Sequence, residues 1–359
     1  MIYAYGVRVN GPYHIKNNIP CQDAFEILKC SDDLVIAAVA DGLGSAEYSD
    51  VASELAVKIS LKHCGRDIPK VSTDDEILAI MKKSFVYVQN FIEKVAKRKK
   101  HDVAKYDTTL SLAVLKKDTL YFGHSGDSGI VALTMDGSYQ KVTEQQRDDN
   151  NCVFPLIFRD EWVFEKFDKK VASVLLATDG IYETLFPFLI RNEDVKIHIR
   201  LAHYLMDNSR LKINERGESA VTDEIKKFIE NIPPEQVDDD KTVVVLANTA
   251  VKPELQSDDY YQEPDWATLR KKHDEEWKRL AYPHLFKDEE GNQGAGKSDT
   301  ENASRDNLYT ESENQISPMT SGQSNSNDGG VVKKAKSSID KKDKAEKKNG
   351  FWGFSKKKK

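Results

Sequence analysis

Carboxylates recur in this chain where apolar strands meet loops, and that pattern constrains the fold more than any other feature. Residues 33–41 read as a short, nearly continuous apolar strand ending in Asp41-Gly42-Leu43-Gly44, whose two glycines signal a tight loop. Val171 to Ala177 ends in Thr178-Asp179-Gly180, Asp127 sits in Gly126-Asp127-Ser128, and Asp239 comes just before Thr242 and its valine run. Asp23 makes a fifth aspartate. Any one Asp-Gly is usually a turn and nothing more. Several carboxylates converging on one sheet edge repel one another, and hard cations such as Mg²⁺ or Mn²⁺ relieve that repulsion because they prefer anionic oxygen. Two such cations about 3.5–4 Å apart, sharing a bridging carboxylate and a water, lower the pKa of that water and aim it in line at phosphorus. Phosphoester hydrolysis is the chemistry this set implies.

The surrounding pattern predicts a mixed α and β domain. Val51, Ala52, Leu55, Ala56, Ile59 and Leu61 lie at helical spacing. A second helix should start with Thr73 three residues before Glu76 and run to about Lys97, burying Ile77, Met81, Phe85, Val88, Ile92 and Val95. The period then changes: 109–115, 119–123 and 129–133 read as an antiparallel meander, with further strands at 171–177 and 242–247. Residues 140–170 have no sustained period and suggest a flap or an irregular excursion beside the site. Helices are expected again over 195–206 and 221–232. Beyond Asn248, the apolar stripe Trp266, Leu269, His273, Trp277 and Leu280 predicts an amphipathic helix that needs a partner surface. Residues 287–332, rich in Ser, Asn, Gly, Asp and Glu, are expected to be disordered. No repeat of solenoid period is present.

Charge is unevenly placed. From Lys333 onward twelve lysines face three acids, a net of +9 within a chain of net −6, so the preceding residues carry −15. An acidic body weighs against specific nucleic-acid binding, which needs clustered Lys and Arg. The longest apolar run, Leu34 to Ala40, is seven residues against the roughly 20 a membrane span requires. The first residues lack a basic start followed by an apolar stretch, so a cytoplasmic location is expected. Four cysteines (Cys21, Cys30, Cys64, Cys152) show no CxxC spacing and read as reduced thiols, mostly filling the core.

In order along the chain, Gln22-Asp23-Ala24-Phe25, Ala40-Asp41-Gly42-Leu43-Gly44-Ser45, Gly123-His124-Ser125-Gly126-Asp127-Ser128, Ala177-Thr178-Asp179-Gly180-Ile181-Tyr182-Glu183 and Asp239-Asp240-Lys241-Thr242-Val243-Val244-Val245 resemble the motifs of metal-dependent Ser/Thr protein phosphatases, the protein phosphatase 2C family, and most of all its bacterial branch. The resemblance covers about residues 1–248. It implies an α+β fold, an αββα four-layer sandwich of two antiparallel sheets flanked by helices, here with a partly disordered C-terminal extension. The implied domains are a catalytic domain over 1–250, a helical extension over 251–286, a linker over 287–332 and a basic-aromatic tail over 333–359.

The resemblance also implies roles. Asp41 would bridge two Mn²⁺ or Mg²⁺ ions, with the Gly42 carbonyl as a further ligand. Asp179 and Asp239 would complete one shell, Asp23 would bind or orient the other through water, and Asp127 would serve a third, weaker site. Water activated between the first two ions would attack a phosphoserine or phosphothreonine directly, with no phosphoenzyme. The substrates would be proteins phosphorylated by a Ser/Thr kinase, and the enzyme a monomer.

Three positions depart from the family pattern. Asn18 stands where many members carry a phosphate-clamping arginine; His14 and Lys16 are the nearest replacements and Arg8 a more distant one. Leu43 stands where animal members place a histidine, and Gly129 where many have arginine. Gly126-Asp127-Ser128-Gly129 also invites comparison with trypsin-like serine proteases, but the His and Asp partners in their particular contexts are missing. No G-x-x-x-x-G-K-[ST] loop supports an NTPase. A pseudophosphatase that binds phosphoproteins without turnover is the alternative from another class, and retention of Asp41, Asp179 and Asp239 together argues against it. The tail, with Phe351, Trp352 and Phe354 between lysine groups, reads as an electrostatic tether to an anionic surface, most plausibly the inner membrane leaflet.

Overall fold

The computed structural model describes residues 1–283. Its first half runs β1 (Ile2–Val9), α1 (Pro12–Asn17), β2 (Ala24–Ser31), β3 (Leu34–Ala40), α2 (Ser49–Asp67), α3 (Asp74–Lys99), β4 (Leu110–Lys116), β5 (Thr119–Ser125) and β6 (Gly129–Thr134). The chain continues through β7 (Tyr139–Lys141), β8 (Val163–Lys166), β9 (Val171–Ala177), α4 (Asp179–Leu185), α5 (Ile199–Met206), α6 (Asn208–Leu211), α7 (Ile213–Arg216), α8 (Glu218–Glu230), β10 (Lys241–Asn248) and α9 (Trp266–Ala281). The strands form two five-stranded sheets, ordered β1-β10-β9-β6-β7 and β2-β3-β4-β5-β8, with antiparallel neighbours throughout.

Strand periodicity explains the layering, because successive side chains leave a strand on opposite faces. In β3, Val35, Ala37 and Val39 point into a core shared with Ala132, Val174, Leu176, Val244 and Leu246 of the other sheet. The intervening Ile36, Ala38 and Ala40 pack with residues of α2 and α3 such as Ala56, Leu61, Met81 and Phe85. On the second sheet, Leu175, Val243 and Val245 face outward onto Ile181, Leu205, Val221 and Ile225 of the α4–α8 group. Both faces of each sheet are covered, which is why these strands read as unbroken apolar runs. The expected αββα sandwich is what the chain forms.

The long helix α3 follows its sequence signals. Thr73 Oγ1 accepts from the Glu76 amide and Glu76 accepts from the Thr73 amide, closing the capping box. Five of the six expected core positions are buried; Val95 is half-buried and Ala96 takes the last buried place. Other expectations need correction. The helix expected from Val195 begins only at Ile199, since 191–198 forms turns that bring the His198 amide to the Leu185 carbonyl at 2.8 Å. The helix expected over 221–232 spans Glu218–Glu230. All four cysteines are free, but only Cys64 is buried.

After β10 the chain straps across the edge of the sheet that holds β6 and β7. The Glu254 amide donates to the Met135 carbonyl at 2.9 Å, the Tyr139 amide donates to the Tyr260 hydroxyl at 3.1 Å, and the Tyr260 ring stacks on Tyr139. The stripe of α9 finds its partner in part: Trp266 sits edge-on to His198, His273 edge-on to Phe188, and Lys272 pairs with Glu193 at 2.7 Å. Trp277 and Leu280 stay exposed. No helix among the described residues is long and apolar enough to cross a membrane. The linker expected over 287–332 and the tail over 333–359 lie outside the described residues.

We propose residue 250 as the boundary of the minimal catalytic domain. A chain shortened to 1–250 is expected to fold but to melt about 4–8 °C below one ending at residue 283. Losing the partly buried Tyr260 and Tyr261 forfeits about 2 kcal/mol of burial. Thermal denaturation of the two proteins tests this, and an insoluble 1–250 chain would place the strap inside the domain.

Candidate functional site

Four loops carry aspartates to one end of the sandwich. Asp41 follows the last residue of β3, and its backbone is clamped from the two residues just before β4: the Thr109 amide and Thr108 hydroxyl donate to the Asp41 carbonyl at 2.7 and 2.9 Å, while the Asp41 amide donates to Thr109 Oγ1 at 2.9 Å. Asp179 opens α4 directly after β9, and Asp239 lies two residues before β10. Asp127 sits where β5 of one sheet turns into β6 of the other. That turn needs glycine, because Gly126 has φ +107° and a Cβ there would lie 2.4 Å from Thr109. Gly129, at the position where an arginine was the family expectation, makes room for the Tyr182 ring, which a Cβ would meet at 2.0 Å.

The result is a cleft of about 380 Å³ lined by Asp41, Gly42, Asp127, Asp179 and Asp239, with His14 at its wall. Carboxylate oxygens of Asp41, Asp127 and Asp179 all lie within 4.8 Å of one another. Burial, followed by the charges of Asp127 and Asp239, pushes the Asp179 carboxyl up to about 7. Asp41 is raised well above the ordinary carboxylate range by burial and then by Asp179. Asp127 is also raised by burial, although the Arg147 guanidinium pulls it back. Asp127 Oδ1 is buried without a hydrogen-bond partner. A divalent cation fits such a donor set: oxygen-only, anionic, with an acceptor left open.

The remaining expected residues are placed differently from one another. Asp23 lies buried and accepts from Thr178 Oγ1 at 2.7 Å; burial and then Asp240 raise its carboxyl. His14 is buried on α1, with Nδ1 2.9 Å from Asp240 and Nε2 3.8 Å from Asp239. Lys16 is exposed and does not line the cleft. Arg8 pairs with Glu54 at 2.7 Å and donates to the Asp23 carbonyl at 3.0 Å. Asn18 caps α1 in the left-handed region.

Two residues escaped the sequence reading. Asp240 accepts from the Gly11 and Gln22 amides, both at 2.7 Å, tying the N-terminal loops to β10. Its only signal was its place in the Asp238-Asp239-Asp240 run. Arg147 Nη2 donates to Asp127 at 2.8 Å and to Glu183 at 3.1 Å. It comes from the irregular 140–170 stretch, where no pattern singled it out.

The model of the family described as Protein phosphatase 2C matches residues 10–216, more than half of the chain. No curated protein matches by sequence. Among solved structures, a bacterial serine phosphatase superposes with a TM-score of 0.50 at 12% identity, covering 71% of this chain and 100% of that one. The Mycobacterium tuberculosis serine/threonine phosphatase PstP/Ppp gives 0.49 at 17% identity over 68% of this chain and 98% of its own. RsbX in complex with magnesium gives 0.41 at 13% identity over 68% and 94%. At 12% identity the first of these likenesses speaks to the fold alone. Asp239 lies beyond the matched span, and the structure brings it to the same cleft.

The raised carboxyls set a pH dependence. Asp41 and Asp179 hold protons more tightly folded than unfolded, so their protonation favours the fold at low pH; the Asp179 contribution is fully present below about pH 4 and is lost as pH rises through about 7. The metal-free protein should therefore melt higher at about pH 6 than at about pH 8, and saturating Mn²⁺ should flatten the difference. A melting temperature in EDTA that rises over this interval would contradict the assignment.

Proposed function

The chain belongs to the protein phosphatase 2C family, and on that premise we propose that its acidic cleft hydrolyses phosphoserine and phosphothreonine on proteins with two divalent cations, Mn²⁺ or Mg²⁺. It is a serine/threonine protein phosphatase by family. The observation that carries the finer reading is the convergence of Asp41, Asp127 and Asp179 within 4.8 Å, with one buried oxygen of Asp127 left unpartnered. Bound cations would supply Lewis-acid polarisation of the phosphoryl group and an acidified water as nucleophile.

The chain's own residues do the rest. Asp41, held by three hydrogen bonds to its backbone, is assigned the bridging position, with the Gly42 carbonyl beside it. Asp179, just after β9, and Asp239, just before β10, flank neighbouring strands of the other sheet and line the same cleft. Asp127 is assigned to a third, weaker site. Asp23 is set behind this group, where its bond from Thr178 ties it to the Asp179 loop, and we assign it an orienting role. His14 rests against Asp239 and Asp240, which supports a part in holding Asp239 or in meeting phosphate. Lys16, away from the cleft, is not carried into the proposal. No observation favours the pseudophosphatase alternative.

The expected result is hydrolysis of p-nitrophenyl phosphate and phospho-Ser/Thr peptides that depends on Mn²⁺ or Mg²⁺ and stops in EDTA. Asp179→Asn or Asp239→Asn should lower turnover at saturating Mn²⁺ by at least about 100-fold, each removing an anionic ligand, with the fold retained. Near wild-type turnover in either variant would remove that ligand from the scheme. For the tail from Lys333, we propose a tether to anionic lipid: full-length chain should pellet with anionic vesicles at low salt, and a chain ending at Gly330 should not. Equal pelleting would overturn that role.

A further inference from the structure

We propose that Arg147 is the phosphate-contacting cation of this site, supplied by the loop after β7 in place of an arginine near the N-terminus. The inference rests on the phosphatase reading above and adds to it a residue and a role. A planar guanidinium matches the oxygens of a phosphoryl group through paired N–H donors, which neither an imidazole nor an ammonium reproduces. The N-terminal position cannot provide one: Asn18 caps α1 and is exposed, and Arg8 is engaged with Glu54 and the Asp23 carbonyl.

Arg147 is placed for the task by its own loop. The Gln146 amide donates to the Gly126 carbonyl at 2.9 Å, the Gly126 amide donates back to Gln146 Oε1 at 2.8 Å, and Gln145 Nε2 donates to the Asp127 carbonyl at 2.9 Å. Two consecutive residues, Gln145 and Gln146, are thus fastened to the turn that carries Asp127. On its other side, Arg147 bridges to Val153, itself a wall of the cleft, and the intervening turn is closed by the Asp148 amide on the Cys152 carbonyl and the Cys152 amide on Asp148 Oδ1, both at 2.8 Å.

The guanidinium is only partly committed. Both of its side-chain hydrogen bonds, to Asp127 and Glu183, leave from the one nitrogen Nη2, and Nε is buried with no partner. Glu183 is more than half exposed, so its hold is weak. Asp127 is the stronger anchor and stands in the carboxylate cluster itself, so the guanidinium adjoins that cluster through Asp127 and Val153, both walls of the cleft, although Arg147 does not itself line it.

The test uses the full chain with Arg147→Ala, Arg147→Gln and Arg147→Lys, and inorganic phosphate as the probe. Removing a charge-assisted contact should raise the inhibition constant of phosphate and the KM for p-nitrophenyl phosphate together by about 10- to 100-fold, with a smaller fall in kcat. Lysine should restore part of the loss and glutamine little. Mn²⁺ affinity should move little. Unchanged phosphate inhibition, with only Mn²⁺ affinity or melting temperature altered, would reduce Arg147 to a counter-ion of Asp127 and overturn the proposal. If Arg147→Ala fails to fold, the comparison of lysine with glutamine decides the same point. A wild-type chain inactive with Mn²⁺ and unable to bind phosphate by calorimetry would instead sink the phosphatase reading beneath it.

Discussion

Three carboxylates held within 4.8 Å of one another at the end of a closed sandwich are the feature on which the rest of this molecule turns. At an effective dielectric of about 20, each ionised pair at that separation repels by about 3 kcal/mol. Summed over the cluster, this is comparable with the whole stability of an ordinary domain, on the order of 5–15 kcal/mol. A fold does not keep such a group without something that makes use of it. The structure meets the strain in two ways: protons bind more tightly than usual at Asp41 and Asp179, and Arg147 reaches one oxygen of Asp127. Neither relief answers the unpartnered Asp127 Oδ1, and the divalent cations proposed for this site would.

The scaffold keeps the carboxylates together because their backbones are fixed independently of their charges. Asp41 is held by Thr108 and Thr109 just before β4, Asp127 by a turn only glycine can make at Gly126, and the Asp179 loop by the Thr178 hydroxyl, which also accepts from the Thr242 amide at 3.1 Å. Apolar packing on both faces of both sheets supplies the rigidity behind these links. Asp240 adds a seam between the N-terminal loops and β10, drawing His14 and Asp239 into one neighbourhood. The site is therefore built from the N-terminal loops, the approach to β10 and both sheets, and no single segment contains it.

Much of this was legible in the sequence. Asp41 and Asp179 announce themselves because each ends an apolar strand and precedes glycine, and Asp239 because a valine run follows it. The capping box of α3 was readable because it is local, lying within four residues. What escaped depends on distant partners. In β1, Tyr3, Gly6 and Arg8 interrupt any clean alternation, and the segment is a strand because it pairs with β10, some 240 residues away in register. Val195 is exposed and belongs to a turn although its neighbours look helical. Arg147 lies in a stretch with no period, so only the folded chain reveals that it meets Asp127.

The central claim is that this cluster is a paired-cation site, and the most direct test is electron paramagnetic resonance of the full chain titrated with Mn²⁺, together with a count of bound ions. The account predicts that at least two ions bind per chain and that their spectrum is that of an exchange-coupled pair, lost in Asp41→Asn. A single, magnetically isolated ion at saturation, or a coupled spectrum that survives in Asp41→Asn, would contradict it.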